Sequence, residues 1–296
     1  MIWLQNIAIG ALFPHLARFA TDFSPAYLKR ELGHLHDLRS PTLFLGDSVV
    51  WGYDLQPGAT AVSILAARGC ECANLAYKLG SPPNYYALLR LLESAKVRPR
   101  VVILEINQKV FNPIDDAYKT LHPSVAEAAE PLLAANDLDK LVLPPHETTV
   151  ESLLSSVSQL YAMRTDIRET LFGDADKVAR QRPTAQQFEG SYNLKLLNAR
   201  NVGVHFLEKT AAHLHDAGIP AVAFMTPTNH ALLHEYIDVP AYHKNGLFLQ
   251  RLLKRHGIRV LDLDSAFPTN EFIDNSHLTA AGQQRLADIL ADVMAH

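Results

Sequence analysis

The fold this sequence predicts is a three-layer α/β/α sandwich around a five-stranded parallel sheet, and three observations predict it. Five short apolar runs alternate along the chain with helical patterns, as expected of βα units that build a parallel sheet. The runs are nearly continuous in apolar residues rather than alternating, which marks strands covered on both faces. At 296 residues, with 48% hydrophobic and 20% charged side chains, the chain has the size and composition to bury a full core, so disordered and fibrous classes are excluded.

The elements follow in order. Ser24-Pro25 supplies a cap and a first-turn proline for a helix running to about Leu38. Pro41 to Leu45 is a buried strand ending at Gly46, Ala59 to Arg68 a helix closed by Gly69, and Cys70 to Ala76 a second strand. Pro82 to Ala95 forms the next helix and Arg100 to Ile106 the third strand. From 111 to 200 the strand signal disappears. Helical stretches at Val125 to Ala135 and Val150 to Leu171 take its place, broken by Pro144-Pro145, Gly173 and Pro183. The alternation then resumes. Val202 to Ala217 is a helix, Ile219 to Met225 a strand, Tyr242 to His256 a helix, Ile258 to Leu263 a strand and Thr279 to Ala295 a final helix. The expected organisation is therefore an N-terminal helical segment (1–40), a core formed by 41–110 and 201–296, and a helical insertion at 111–200 that is a candidate cap.

Composition limits the partners. Lys and Arg total 27 against 31 Asp and Glu, a net charge of −4, which gives no basic footprint for nucleic acid. Met1 to Phe13 is strongly apolar, yet no Lys or Arg precedes Arg18, so the positive start of a secretory signal is missing. The run also falls short of a span of about 20 residues. An amphipathic helix packed on the core and a truncated anchor both fit it. The anchor would allow membrane association through the apolar N-terminus and a place in the cell envelope. Cys70 and Cys72 are one residue apart, too close for a disulfide framework or a four-ligand zinc site, and read as two small buried thiols.

The chemistry gathers at strand ends. In an open α/β sheet the site lies beyond the carboxyl ends of the strands. Gly46-Asp47-Ser48 stands at the end of the first, and Asp274-Asn275-Ser276-His277 after the fifth. A hydroxyl is a poor nucleophile until a base takes its proton, and the base works best when a carboxylate orients its ring. Spacing i, i+3 in a turn lets Asp274 hold one nitrogen of His277 while the other faces Ser48. Asn107, directly after the third strand, and Gly80, opening the helix after the second, could aim N–H groups at an oxyanion developing beside Ser48.

Taken as a set, these residues resemble the SGNH/GDSL hydrolase superfamily. Gly46-Asp47-Ser48, Gly80, Asn107, and Asp274 with His277 occur in the family's order across the core and outside the insertion. The resemblance implies a flavodoxin-like sheet, Ser48 as nucleophile, His277 as base and Asp274 as its orienting acid. It also implies an oxyanion hole from the N–H of Ser48 and Gly80 with the amide of Asn107, and needs no metal or organic cofactor. Where the family reads Gly-x-Asn-Asp, this chain has Glu105-Ile106-Asn107-Gln108. A buried carboxylate needs a partner, and for Glu105 the favoured expectation is a nearby arginine, the alternative a contact with the site itself.

The activity so implied is hydrolysis of a small, acetyl-type ester through an acyl-enzyme, with a small-molecule or carbohydrate ester as substrate. The alternatives are an O-acyltransferase acting on a cell-envelope carbohydrate and a non-catalytic binding module on the same fold. Asp47, Trp51, Tyr53 and Asn229 are the candidate substrate-binding residues, and Tyr85 and Tyr86 could add to an aromatic platform. His34/His36 and His213/His215 fail as metal pairs, because i, i+2 on a helix points the rings apart. His230 and His234 have a chelating spacing but no third ligand, so no metal site is expected.

Overall fold

The computed structural model describes residues 32, 33, 35, 36, 38, 39, 41–53, 55–112, 116–143, 185–192 and 195–294. The apolar N-terminal run and the helix expected at 150–171 lie outside these residues. Among those described, no helix is long and apolar enough to cross a membrane.

Five parallel strands form one sheet: β1 (Thr42–Leu45), β2 (Cys72–Asn74), β3 (Val101–Ile106), β4 (Ala221–Met225) and β5 (Arg259–Asp262). Their order is β2-β1-β3-β4-β5. The chain thus starts in the middle, steps to one edge, and returns across β1 to build the other half. β1 and β3 are the neighbours on either side of this reversal, where such folds place their sites. The register aligns Leu45 with Leu104 and Glu105 with Phe224.

Alternating strand side chains feed two cores. Leu43, Leu45, Val102, Leu104, Ile106, Ala223 and Met225 point to one face, where α3 (Pro82–Ser94), α7 (Val202–Asp216) and α9 (Pro240–Arg255) cover them. Phe44, Ile103 and Phe224 point to the other, against α2 (Ala61–Ala67) and α10 (Ala280–Met294). Burying each such side chain contributes roughly 1.5–3 kcal/mol, so both helical layers are held by the sheet rather than by helix propensity.

The shorter helices are α1 (Ser48–Trp51), α4 (Pro123–Ala129), α5 (Ala135–Leu138), α6 (Ala185–Tyr192) and α8 (His230–Ile237). Val125 and Ala129 of α4 join the first core. Phe188 and Tyr192 of α6 pack with Leu233 and Ile237 of α8 in a cluster of their own. The sequence reading contains no helix at 230–237. That element is short, with only Leu233 and Ile237 buried, too few apolar positions to stand out.

Cys70 and Cys72 are joined in a disulfide, which corrects the expectation of two buried thiols. The Cys72 N–H donates to the Cys70 carbonyl at 2.8 Å, and this tight turn leaves the Cα atoms 5.2 Å apart, within bridging range. Both residues are only half-buried.

Candidate active site

Gly46 ends β1 and Asp47 caps α1, its carboxylate Oδ1 accepting the Val49 N–H at 2.9 Å. Ser48 is therefore the first residue of a helix, and such N–H groups have no acceptor within the helix. Its N–H finds none elsewhere among the described residues. The hydroxyl is 2.7 Å from Nε2 of His277. On the other side of that ring, Nδ1 lies 2.6 Å from Oδ2 of Asp274.

Asp274 is fixed by more than the imidazole. Its Oδ1 accepts the backbone N–H groups of Ser276 at 3.0 Å and His277 at 2.9 Å. Burial pushes this carboxyl up, but the hydrogen bond and charge of His277 and the two N–H groups carry it below the ordinary aspartate value. It stays an anion, able to hold a proton on Nδ1 and leave Nε2 as the acceptor facing Ser48. The phenol ring of Tyr53 stacks on the imidazole, with centroids 4.3 Å apart and planes 30° from parallel.

Asn107 follows β3, and its Nδ2 donates to Oδ2 of Asp47 at 2.9 Å while its Oδ1 accepts the Lys109 N–H at 3.2 Å. An amide carries two N–H groups, so one of them is left beyond the bond to Asp47. Gly80 differs from the expectation. Its N–H donates to the Tyr77 carbonyl at 2.9 Å, which removes it from the oxyanion role. It is needed for another reason: a Cβ there would sit 2.0 Å from the Gly46 carbonyl oxygen. The glycine lets the β2–α3 loop close onto the Gly46–Ser48 turn.

The four candidate substrate-binding residues all have partners within the protein, although Trp51 and Tyr53 are only half-buried. Asp47 is buried in the network just described. Trp51 packs against the second core, and Tyr53 covers the histidine. Asn229 donates its N–H to the Asn275 carbonyl at 2.9 Å and its Nδ2 to the Asp274 carbonyl at 3.1 Å. It braces the Asp274–His277 loop from the end of β4. Tyr85 and Tyr86 are buried too. His230 pairs with Asp264 at 2.8 Å.

Glu105 corrects the expectation of an arginine partner. It is 0% exposed, and its Oε2 accepts the Asp47 N–H at 2.8 Å while Oε1 accepts the Thr226 hydroxyl at 2.9 Å. Burial and the nearby Asp47 charge push it well above the ordinary glutamate range, against the smaller pull of those two hydrogen bonds. Its carboxyl also explains Gly46, where a Cβ would meet Oε2 at 2.5 Å.

Two residues beyond the sequence reading complete the site. Tyr192, from α6, accepts a hydrogen bond from Nδ2 of Asn275 at 2.9 Å and so ties the insertion to the Asp274–His277 loop. Lys109 is the other. Burial pushes its ammonium down, but Asp47, then Tyr192, Tyr118 and Asp274, more than offset that and hold it above the ordinary lysine value.

No family model matches the chain, and no curated protein matches its sequence. Among solved structures, it is similar to a protein from Desulfitobacterium hafniense described as lipolytic and of the G-D-S-L family. That match has 11% identity and a TM-score of 0.39, covering 86% of this chain and 99% of the other. It is also similar to a psychrotrophic esterase from Pseudoalteromonas sp., solved inhibited by monoethylphosphonate. There the identity is 13% and the TM-score 0.44, with 86% of this chain and 97% of the other covered.

Proposed function

We propose that the chain is a serine hydrolase that cleaves a small acyl ester through an acyl-enzyme. The single observation that carries this reading is the continuous line of hydrogen bonds from the Ser48 hydroxyl through His277 to Asp274, at 2.7 and 2.6 Å. Ser48 attacks the acyl carbonyl carbon as its proton passes to Nε2 of His277. The imidazolium so formed is held between the Asp274 anion and the Tyr53 ring. Collapse of the tetrahedral intermediate breaks the ester C–O bond, and His277 returns the proton to the departing alcohol. Water then attacks the acyl carbon while giving a proton to the same nitrogen; the bond to Ser48 Oγ breaks, His277 returns the proton to that oxygen, and the acid leaves.

The oxyanion is met by the Ser48 N–H and the second amide N–H of Asn107. Preorganised donors of this kind lower the barrier by about 3 kcal/mol each, since they do not reorganise as charge develops.

Turnover of p-nitrophenyl acetate tests the reading. Ser48→Ala should lower it at least about a thousandfold, and a fluorophosphonate probe should label wild type but not the variant. Unchanged turnover in the variant overturns the assignment. With a glycan acceptor present, release of free acetate supports hydrolysis, whereas an acylated acceptor would reassign the same acyl-enzyme to transfer.

A further inference from the structure

A side chain near the end of β3 and one just beyond it converge on a single residue of the turn that carries Ser48. Glu105 and Asn107 are separated by two positions, so they project on the same side of the strand. Glu105 takes the Asp47 N–H at 2.8 Å and Asn107 donates to the Asp47 carboxylate at 2.9 Å. The backbone and the side chain of Asp47 are thereby gripped from one strand, and Ser48 is the next residue.

A carboxyl is a costly choice for this place. Burying one without a cationic partner costs several kcal/mol unless it keeps its proton, and here the nearest carboxylate is Asp47 itself. The other titratable group facing Glu105 is Tyr85 from α3, with Tyr77 beyond it. Lys109 acts on Asp47. Thr226, at the end of β4, holds the far oxygen. A leucine in this position would fill the space, but it would leave the Asp47 N–H without an acceptor.

We propose that Glu105 is a positioning residue, whose carboxyl orients the Gly46–Asp47–Ser48 turn and, through Asp47, the amide of Asn107. The inference rests on the serine hydrolase reading above. In its neutral form the acid accepts the main-chain N–H without setting a second negative charge against Asp47. Glu105 touches no reacting atom and acts through the two residues it aligns. Misplacement of a nucleophile by about 1 Å can lower turnover about a hundredfold while substrate binding survives, so the expected signature is a loss in kcat with KM kept.

Three variants of the full chain test this. Glu105→Leu removes the acceptor and should lower kcat for p-nitrophenyl acetate about a hundredfold, with KM within about threefold of wild type. Glu105→Gln keeps an oxygen for the Asp47 N–H and an amide for Thr226, and should restore kcat to within about tenfold of wild type. Thr226→Val keeps the volume while releasing the far end of the carboxyl, and should lower kcat about fivefold. If Glu105→Leu does not fold, as judged by circular dichroism, the Gln and Val variants decide. The proposal is overturned if Glu105→Leu folds and keeps wild-type kcat, if the loss falls on KM, if Glu105→Gln is as impaired as Leu, or if Thr226→Val is unaffected. Fluorophosphonate labelling separates the two levels of argument. Labelled wild type with indifferent Glu105 variants removes this inference alone, and wild type that is neither active nor labelled removes the hydrolase reading and this inference together.

Discussion

Asp274→Asn is the perturbation whose size the structure sets most directly. Asp274 uses one oxygen for two backbone N–H groups, at 3.0 and 2.9 Å, and the other for Nδ1 of His277. In asparagine the single carbonyl oxygen has to take the two backbone donors, since turning the amide nitrogen toward them would oppose three N–H groups. The side-chain NH₂ is then left facing Nδ1. The imidazole answers by accepting there and placing its own proton on Nε2, where it faces the hydroxyl of Ser48 and can no longer take a proton from it. The variant should fold normally but hold the wrong tautomer, a defect worth about ten thousandfold in kcat, or roughly 5.4 kcal/mol at 1.36 kcal/mol per decade. Steady-state hydrolysis of p-nitrophenyl acetate with a thermal melt as control is the assay. A variant within tenfold of wild type would refute the reasoning, because it would mean that the imidazole does not depend on Asp274 for its protonation pattern.

Three further expectations follow from the same geometry. Gly80→Ala drives a methyl to 2.0 Å from the Gly46 carbonyl oxygen, backbone against backbone, and should destabilise the protein by about 3 kcal/mol in urea titration. Tyr53→Leu removes the ring from His277 and should lower kcat by about threefold to tenfold, in line with a stacking contact near 1 kcal/mol, whereas Tyr53→Phe should keep most of it. Because Glu105 keeps its proton well above the ordinary range when folded, the native state binds more protons than the unfolded one as pH rises through that window. Its contribution to stability therefore declines with increasing pH, by up to about 1.4 kcal/mol per unit. Melting curves of Glu105→Gln should lose that slope, and an identical slope would contradict the buried neutral acid.

The parts of the fold written in side-chain pattern were readable before the structure. Each strand shows as an apolar run because both its faces are covered, and Ser48, Asp274 and His277 were recognisable because residues at strand ends share one rim of the sheet. What stayed hidden depends on main-chain groups or on contacts between distant segments. Glu105 invited an arginine, but its partners are a backbone N–H and a threonine hydroxyl, and no residue type advertises a free N–H. Gly80 looked like a donor, yet its own N–H is used three residues back, so its value lies in the Cβ it lacks. Tyr53 and Asn229 were noticed as polar or aromatic residues near the right edge. Their tasks, covering the imidazole and bracing its loop, follow from how the β1 and β4 ends meet the last loop. Tyr192 carried no signal in the sequence, since its contact with Asn275 joins the insertion to a loop 83 residues away.

The Tyr53 ring also has a consequence for traffic. The His277 imidazole has two broad sides, and the Tyr53 phenol occupies one of them, with ring centroids 4.3 Å apart. If the proposed hydrolysis holds, departing alcohol and incoming water both reach Nε2 along the ring edge or from the side the phenol leaves open. On that reading, the groups along this approach decide which hydroxyl arrives second, and with it whether the acyl group would end as a free acid or on another molecule.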